Sequence, residues 1–556
     1  MVRRRLSTDG AISGRRDLVV AVLALLIFLA LAPAASAQPQ APPRDEPRVL
    51  VSRFVVTGVS AFPPEQLRAL LADGEGRELT LTELEGFAAR ITALYREHGY
   101  ILARASVPAQ EMRDGVVELA VLEGRIGKID ITGLRHYSAD YLRRYVEPRA
   151  PSRIFEAGDF ERGLLLLNDL PGLSLKSTLK PGTQTGTTDI VLDVDKDRLL
   201  TGAVDANNYG SPETGYERFG VSLSLNNPSG LGDVLAFRGL TSTIGGALWL
   251  VRLSYGIPLN TLGTKLGGAY THSHVGADVG TVVGDVTVRG DGDIGSLYIL
   301  HPVLRSRELS VYGQAGFDYK DFSNNVQAQQ AAQPQKDRLR VFSVGAFLDS
   351  VDRGRGANNL SVTLFQGVGD FLGGLHGSHD SHASVFGAGG TFTKLTGEAS
   401  RAQQITTYTS VFVKVGGQWA STSLVAPEQY IVGGQWTVRG YPVAQFSGDR
   451  GYALTGEFRW NAPGFGDRPA FLGKKWGNIL QCYLFIDHGG ANLINPLEGQ
   501  RRSQTITGTG VGTQIAIPDN FLLKVEYAKP MNHVVGGAKP SNGLDNYVYF
   551  LAVKWF

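Results

Sequence analysis

Residues 433–451 read GGQWTVRGYPVAQFSGDRG, and residues 480–489 read LQCYLFIDHG. Five of the nineteen residues in the first stretch are Gly, and one arginine lies near its centre, in Val438-Arg439-Gly440-Tyr441. Gly on both sides lets a backbone fold tightly. Pro442 follows at once, which excludes a helix interior or a central strand. The stretch reads as a long folded loop that places one guanidinium. The second stretch alternates. Leu480, Cys482, Leu484 and Ile486 share one face, and Gln481, Tyr483, Phe485, Asp487 and Gly489 share the other. If the apolar face meets lipid, Asp487 looks into an enclosed space. A carboxylate there needs a partner, and a bidentate arginine is the best one. Arg439 and Asp487 are the expected pair; the plain alternative is two charges on unrelated solvated loops.

The rest of the chain beyond residue 197 agrees with the lipid reading. Helical periodicity vanishes from 198 to 556. Phe219, Val221, Leu223 and Leu225 alternate with Gly220, Ser222, Ser224 and Asn226 before an Asn-Pro-Ser-Gly turn at 227–230. Trp249, Val251, Leu253, Tyr255 and Ile257 alternate with Leu250, Arg252, Ser254 and Gly256; Leu454, Gly456, Phe458 and Trp460 alternate with Thr455, Glu457, Arg459 and Asn461. A soluble sandwich alternates too, but here the polar face carries charges in mid-strand. That is the pattern of a transmembrane antiparallel β-barrel, apolar outside and polar within. Lipid allows no open sheet edge, so the sheet must close.

The N-terminal part is different. Arginines at 3, 4, 5, 15 and 16 precede an apolar run from Leu18 to Leu31 and a small-x-small site at Ala35-Ser36-Ala37, so residues 1–37 read as a signal peptide. Residues 38–48 hold four prolines and read as an extended linker. An internal repeat follows. Val56-Thr57-Gly58-Val59, Phe62 and Leu67-Arg68 recur as Ile131-Thr132-Gly133-Leu134, Tyr137 and Leu142-Arg143, 75 positions on. Each unit reads strand, Gly turn, helix, helix, strand, strand. The first unit's helices are expected at 64–71 and 81–98, the latter with a stripe of Leu84, Phe87, Ala88, Ile91, Leu94 and Tyr95.

The VRGY loop and the later F-x-D-x-G strand, in this order near the C-terminus, resemble the two-partner secretion transporters of the hemolysin/adhesin secretion-activation type. These belong to the outer-membrane superfamily that joins POTRA (polypeptide-transport-associated) domains to a barrel. Asn208-Tyr209-Gly210, Gly230-Leu231-Gly232-Asp233 and Tyr255-Gly256-Ile257-Pro258-Leu259 extend the likeness. The resemblance implies two α+β POTRA domains at 49–124 and 125–197 in the periplasm, and a barrel of sixteen strands at 198–556. It implies a VRGY loop at 433–451 folded back into the lumen, with Val438, Arg439, Gly440, Tyr441, Phe485, Asp487 and Gly489 locking loop to wall. The implied function is recognition of an unfolded secreted partner in the periplasm and its translocation to the cell surface. The implied partners are an adhesin- or hemolysin-like β-helical exoprotein, outer-membrane lipid, and barrel assembly machinery during biogenesis. An insertase of the same superfamily, or a passive porin, are the alternatives. One departure stands out: relatives carry a helix of about twenty residues ahead of the first POTRA domain that plugs the barrel, and a Pro-rich linker cannot form it. The final strand, 547–556, ends on an aromatic residue like the signal read by barrel assembly machinery, but its wholly apolar set 547/549/551/553/555 puts Trp555, not Phe556, on the lipid side.

Other chemistry is not indicated. Net charge is +2, with 19% charged residues, which points away from nucleic acid. The single Cys482 excludes an internal disulfide. His376, His379 and His382 have ligand spacing but sit in a polar loop, so no metal is assigned. Gly508, Gly510 and Gly512 are small residues on a lumen-facing strand, not a nucleotide fingerprint. No cofactor is implied, and no sequence signature of an enzyme is found. Since residues 39–47 cannot form the plug helix, their deletion is expected to leave single-channel conductance in planar bilayers nearly unchanged; a large rise would place the linker inside the barrel.

Overall fold

The structure is a computed structural model describing residues 46–111, 114–147, 154–211, 214–243, 247–281, 284–327, 335–532 and 546–556, with backbone alone over 277–281, 284–288 and 325–327. The expected signal peptide and most of the linker lie outside these residues. The chain forms two compact units: a smaller one comprising residues up to Thr57, 62–91 and 105–120, and a larger one comprising the remainder.

In the smaller unit, Arg53–Thr57 runs parallel to residues 116–120 of the strand Val116–Leu122. Val49–Val51 pairs with Arg77–Leu79, a two-stranded piece that the sequence pattern does not announce. Helix Pro64–Leu71 starts with Pro in its first turn, where no amide is needed, and Glu65 favours the same end. Helix Leu81–Glu97 begins on a capping box. Thr80 Nα–H donates to Glu83 Oε2 at 2.8 Å, and the Glu83 amide donates to Thr80 Oγ1 at 3.2 Å. Leu84, Phe87, Ala88 and Ile91 from its stripe are buried, as are Leu67 and Leu71.

The larger unit opens with a second α+β module. Strand Arg125–Thr132 leads to helices Ala139–Val146 and Ala157–Asn168, then to strands Leu173–Pro181 and Thr187–Asp197. Its sheet order, first strand, last, middle, is the same as that of the sheet holding Arg53–Thr57, Val116–Leu122 and Arg104–Ser106. The helix Ala139–Val146 is capped by Ser138, whose hydroxyl accepts the Tyr141 amide at 3.2 Å.

Both repeats share a turn device that spacing alone did not reveal. Gly58 and Gly133 have φ of +76° and +81°, and a Cβ there would meet the Val121 carbonyl oxygen at 2.2 Å and that of Val194 at 2.6 Å. Past each glycine the backbone turns around a buried carboxylate. Glu123 accepts the Ser60 and Ala61 amides at 2.6 and 2.8 Å, the Ser60 hydroxyl at 2.6 Å and the Tyr95 hydroxyl at 2.7 Å. Asp197 accepts the amides of Arg135, His136 and Tyr137 at 2.7, 2.7 and 3.2 Å. Burial opposes ionisation of both groups, and these hydrogen bonds outweigh it, so both carboxyls lie below their ordinary values of 4.5 and 3.8.

Sixteen antiparallel strands, from Leu200–Asn207 to Tyr547–Trp555, form a closed barrel. The side chains quoted above from 219–225, 249–257 and 454–460 point outward: Phe219, Leu253 and Leu454 are exposed. Closure joins Leu551–Trp555 to residues 203–207 through five residue pairs. The Asn208 side chain extends this seam, donating to the Val548 carbonyl and accepting the Phe550 amide, both at 2.7 Å. No described helix is long and apolar enough to cross a membrane.

The last strand corrects the expectation for Trp555. Tyr549 is buried inside the barrel with Tyr209, Tyr483, Phe485 and Ala528, and Tyr547 and Leu551 pack on the same cluster. Val553 pairs with Asp205, whose carboxylate takes the lumenal Arg238 guanidinium. The set that includes Trp555 therefore faces inward. Phe556 lies outward, against the spot where a Gly202 Cβ would stand. An all-apolar face suggests lipid, but here the lumen supplies an apolar partner.

The second α+β module sits on the turns at one end of the barrel. Arg305 forks onto Asp169 with two bonds of 2.8 Å, Arg162 Nη2 donates to the Pro302 carbonyl at 2.8 Å, Tyr141 donates to the Leu231 carbonyl at 2.7 Å, and Lys196 meets Asp519 at 2.6 Å.

Because the folded carboxyl of Glu123 is depressed, its contribution is present above the unfolded value and is lost as pH falls through the folded one. Glu123→Gln is expected to cost about 1–3 kcal/mol at neutral pH, since two backbone amides and two hydroxyls lose a charged, buried acceptor. Hydrogen exchange at residues 58–61 is the readout: protection should fall in the variant at pH 7 and in the wild type on acidification, and the two should converge at low pH.

Candidate functional site

The loop between strands Thr409–Ala420 and Arg450–Asn461 turns back into the barrel. Its stem is the short antiparallel pair Tyr430–Val432 and Phe446–Gly448. Val432, Val438 and Tyr441 form one buried cluster with Ala491 and Ile506 of the wall. Gly440 has φ +93°, and a Cβ there would lie 2.9 Å from the Lys529 carbonyl carbon, so only Gly fits.

All seven residues singled out from the sequence come together. Arg439 is 4% exposed. Its Nε and Nη2 donate to the two oxygens of Asp487 at 2.6 and 2.9 Å, and its backbone amide adds a third bond at 3.1 Å. The guanidinium carbon lies 3.5 Å from the centre of the Phe485 ring. Gly489 admits Val438, whose Cγ2 would stand 2.9 Å from a Cβ there. Tyr441 donates to the Thr507 carbonyl at 2.9 Å, and the Gly440 amide donates to the Tyr549 hydroxyl at 3.2 Å.

The site is larger than the motif. Arg439 Nη1 donates to Glu526 Oε1 at 2.6 Å, and Nη2 lies 3.0 Å from Glu457 Oε1. Arg459 meets Glu457 at 2.7 Å, Lys524 meets Glu526 at 3.1 Å, and Tyr483 donates to Glu526 at 2.8 Å. Three cations therefore balance three carboxylates from three strands. Glu457 stands on the polar face of its strand, and Glu526 alternates with Val525 and Tyr527, which are exposed and point outward. Alternation gave their face but not their height. Gly508, Gly510 and Gly512 make the room: a Cβ at each would meet the Arg439 carbonyl oxygen at 1.8 Å, the Phe485 ring at 2.6 Å and the Tyr483 ring at 2.2 Å.

A second buried ion site holds the incoming limb of the loop. Glu428 lies between Lys320, at 2.8 Å, and Lys394, on two other strands. Beside it, Leu424 and Val425 pack with Leu375, Ala383 and Ala388 of the preceding loop against Leu339 and Val341 on the lumen face. His376 and His382 pair with Asp370 and Asp380 at 2.8 and 3.0 Å, and no three metal-ligating side chains converge among the described residues.

The family described as "Haemolysin secretion/activation protein ShlB/FhaC/HecB" matches residues 186–515, and "POTRA domain, ShlB-type" matches residues 49–124. This chain belongs to that family. Among its relatives, the heme/hemopexin transporter protein HuxB of Haemophilus influenzae is 23% identical over 481 residues, covering 85% of this chain and 82% of that protein. The outer membrane transporter CdiB of Escherichia coli O6:K15:H31 (strain 536 / UPEC) is 26% identical over 427 residues, covering 75% and 70%. The fold is similar to that of CdiB from Escherichia coli, with a TM-score of 0.74 at 21% identity over 99% of this chain and all of that one. BamA from Haemophilus ducreyi lacking POTRA domains 1–3 follows at 0.52 and 15% identity, covering 92% of this chain. The chain is thus a two-partner secretion transporter of the outer membrane, with its POTRA region in the periplasm, and the insertase reading gives way.

Removing one partner from a buried ion cluster leaves uncompensated charge, typically about 3–5 kcal/mol. Arg439→Ala should therefore release the loop from the wall, and Arg439→Lys should recover only part of the loss because the fork is gone. Gly508→Ala, which touches no charge, should release it sterically. Limited proteolysis at residues 433–445 in folded, heat-modifiable barrel reads all three, and wild-type resistance in Arg439→Ala would overturn the claim.

Proposed function

We propose that this transporter takes an adhesin- or hemolysin-like β-helical exoprotein as an unfolded chain, and that the Arg439 cluster is the lock that keeps its lumen organised for passage. The observation that carries the reading is the loop fixed inside a closed barrel by one buried guanidinium and three carboxylates. A passive porin has no use for an α+β module docked on its turns.

In this reading residues 125–197 act as a second POTRA domain. The cargo arrives extended and adds to a free sheet edge by β-augmentation, where main-chain bonds give affinity and side-chain pockets give choice. The edges in question are the outer strands Arg53–Thr57 and Leu173–Pro181. The second borders a groove of mixed character, in which Leu164, Leu165 and Leu175 stand beside Glu161, Asn168 and Arg307. The fork from Asp169 to Arg305 holds that groove at the barrel mouth, so captured chain is delivered next to the lumen. No step requires a cofactor or a bond-making residue; the work is binding, alignment and conduction. The barrel itself reaches the membrane through assembly machinery that reads its terminal strand.

The test is co-expression with the exoprotein from the neighbouring reading frame. Arg439→Ala and Arg439→Lys should lower cargo at the cell surface by about tenfold or more, with barrel still inserted, given the charge left stranded. Wild-type secretion by both would sink the lock. Cysteines placed along 53–57 and 173–181 should cross-link to cargo held in transit, and their failure to do so would remove β-augmentation while leaving the lock intact.

A further inference from the structure

The outward face of the barrel carries an arginine that should not be tolerated there. On strand Gln335–Val351, Phe342 and Val344 point outward and are 47% and 65% exposed. Arg340 shares their face two residues along, yet it is 1% exposed. A bare guanidinium beside hydrocarbon is costly. Arg340 is instead covered. Its carbon lies 3.3 Å from the centre of the Tyr319 ring, Nη1 donates to Asp321 Oδ1 at 2.8 Å, and Nε donates to the Leu372 carbonyl at 3.1 Å.

The cover is a six-residue spur, 369–374, thrown outward from the loop after strand Gly356–Gly367. Residues on either side of it stay bonded to the wall: the Val368 amide donates to the Arg340 carbonyl at 2.9 Å, and that of Leu375 to the Arg338 carbonyl at 2.8 Å. Across its neck the Asp370 amide donates to the Leu375 carbonyl at 3.0 Å. Asp370 and Leu372 both adopt positive φ, +61° and +46°, which residues with a Cβ avoid. The strain turns apolar side chains outward. Phe371 lies 6.2 Å, ring to ring, from both Phe317 and Phe342, extending the lipid-facing aromatics, and Leu372 is 57% exposed. On the same outward face of the strand, farther from Val344, Arg338 and Lys336 are exposed. Apolar side chains with cations just above them, and the Asp370–His376 ion pair at the neck of the spur, match one environment, the boundary between acyl chains and headgroup phosphates.

We propose that the 369–374 spur is seated in the outer leaflet of the membrane, with Phe371 and Leu372 among lipid acyl chains and Arg338 and Lys336 at the level of the headgroup phosphates. The same loop continues at Leu375 into the lumenal cluster, so the spur fastens to the bilayer a segment whose next residues pack on the lumen face of the wall. The inference needs only the barrel in its membrane and does not rest on the cargo reading.

Nitroxide depth measurement tests it on the full chain with Cys482→Ser. Labels at Leu372→Cys, at Val344→Cys as the lipid reference and at Phe386→Cys as the aqueous reference are compared in vesicles of phosphatidylcholine with a minor share of phosphatidylglycerol. At 372, collisions with oxygen should exceed those with a polar nickel chelate, as at 344. The opposite order, as at 386, overturns the proposal. If Leu372→Cys does not fold, Phe371→Cys carries the same comparison with the same two outcomes.

Discussion

One guanidinium, that of Arg439, sets the terms for this barrel. Glu457, Asp487 and Glu526 come from three strands and converge inside the lumen wall. Without a cation they would repel one another in a place shielded from water. Arg459 and Lys524 offset two of the charges from the wall itself, and the third must come from the loop. Wall and loop thus need each other. The planar fork suits this task because it can bond to several carboxylates at once while lying on the Phe485 ring, which a lysine cannot do.

The same physics explains what was legible in the sequence. Period-two alternation gives the face of each strand, so Asp487, Glu457 and the glycines at 508, 510 and 512 all read as lumenal. It gives no height. Which residues of neighbouring strands stand level depends on register: Asp487 opposes Gly508, Glu457 opposes Phe485 and Glu526 opposes Gly512. The pair of motifs joins Arg439 to Asp487; Glu457 and Glu526 carry no such marker. Alternation misplaces Trp555 for a related reason. Apolarity says that a face is buried, but not whether lipid or packed tyrosines bury it. The repeat was visible through its offset of 75, yet its acids lie at Glu123 and Asp197, one residue off that spacing and different in type.

Those two acids and Asp449 share a role. Each is a buried carboxylate whose oxygens gather backbone amides that no ladder serves, from one turn at Glu123 and Asp197 and from two loops at Asp449. Asp449 accepts the Leu424 amide at 2.8 Å and the Ile494 amide at 2.7 Å, tying the base of the lumenal loop to its neighbour. A buried amide without an acceptor is costly, and a carboxylate serves two or three at once. Irregular backbone inside or beside the barrel is held by this means, because the sheet's own hydrogen bonds are already committed to the wall.

Besides its apolar contacts with the wall, the lumenal loop carries two separated ionic fastenings, Glu428 between Lys320 and Lys394, and Arg439 among its three acids. A chain in transit needs space that the loop occupies. Moving the loop would separate both ion sites, and in hydrocarbon that would be prohibitive. In a polar lumen the freed groups meet water, so the cost falls toward that of exchanging one set of hydrogen bonds for another. Two ionic fastenings, buried while the loop is in place and hydrated once it leaves, therefore make a loop that is firmly placed at rest and still releasable, whereas an apolar interface of equal size would gain nothing from the water that replaces it.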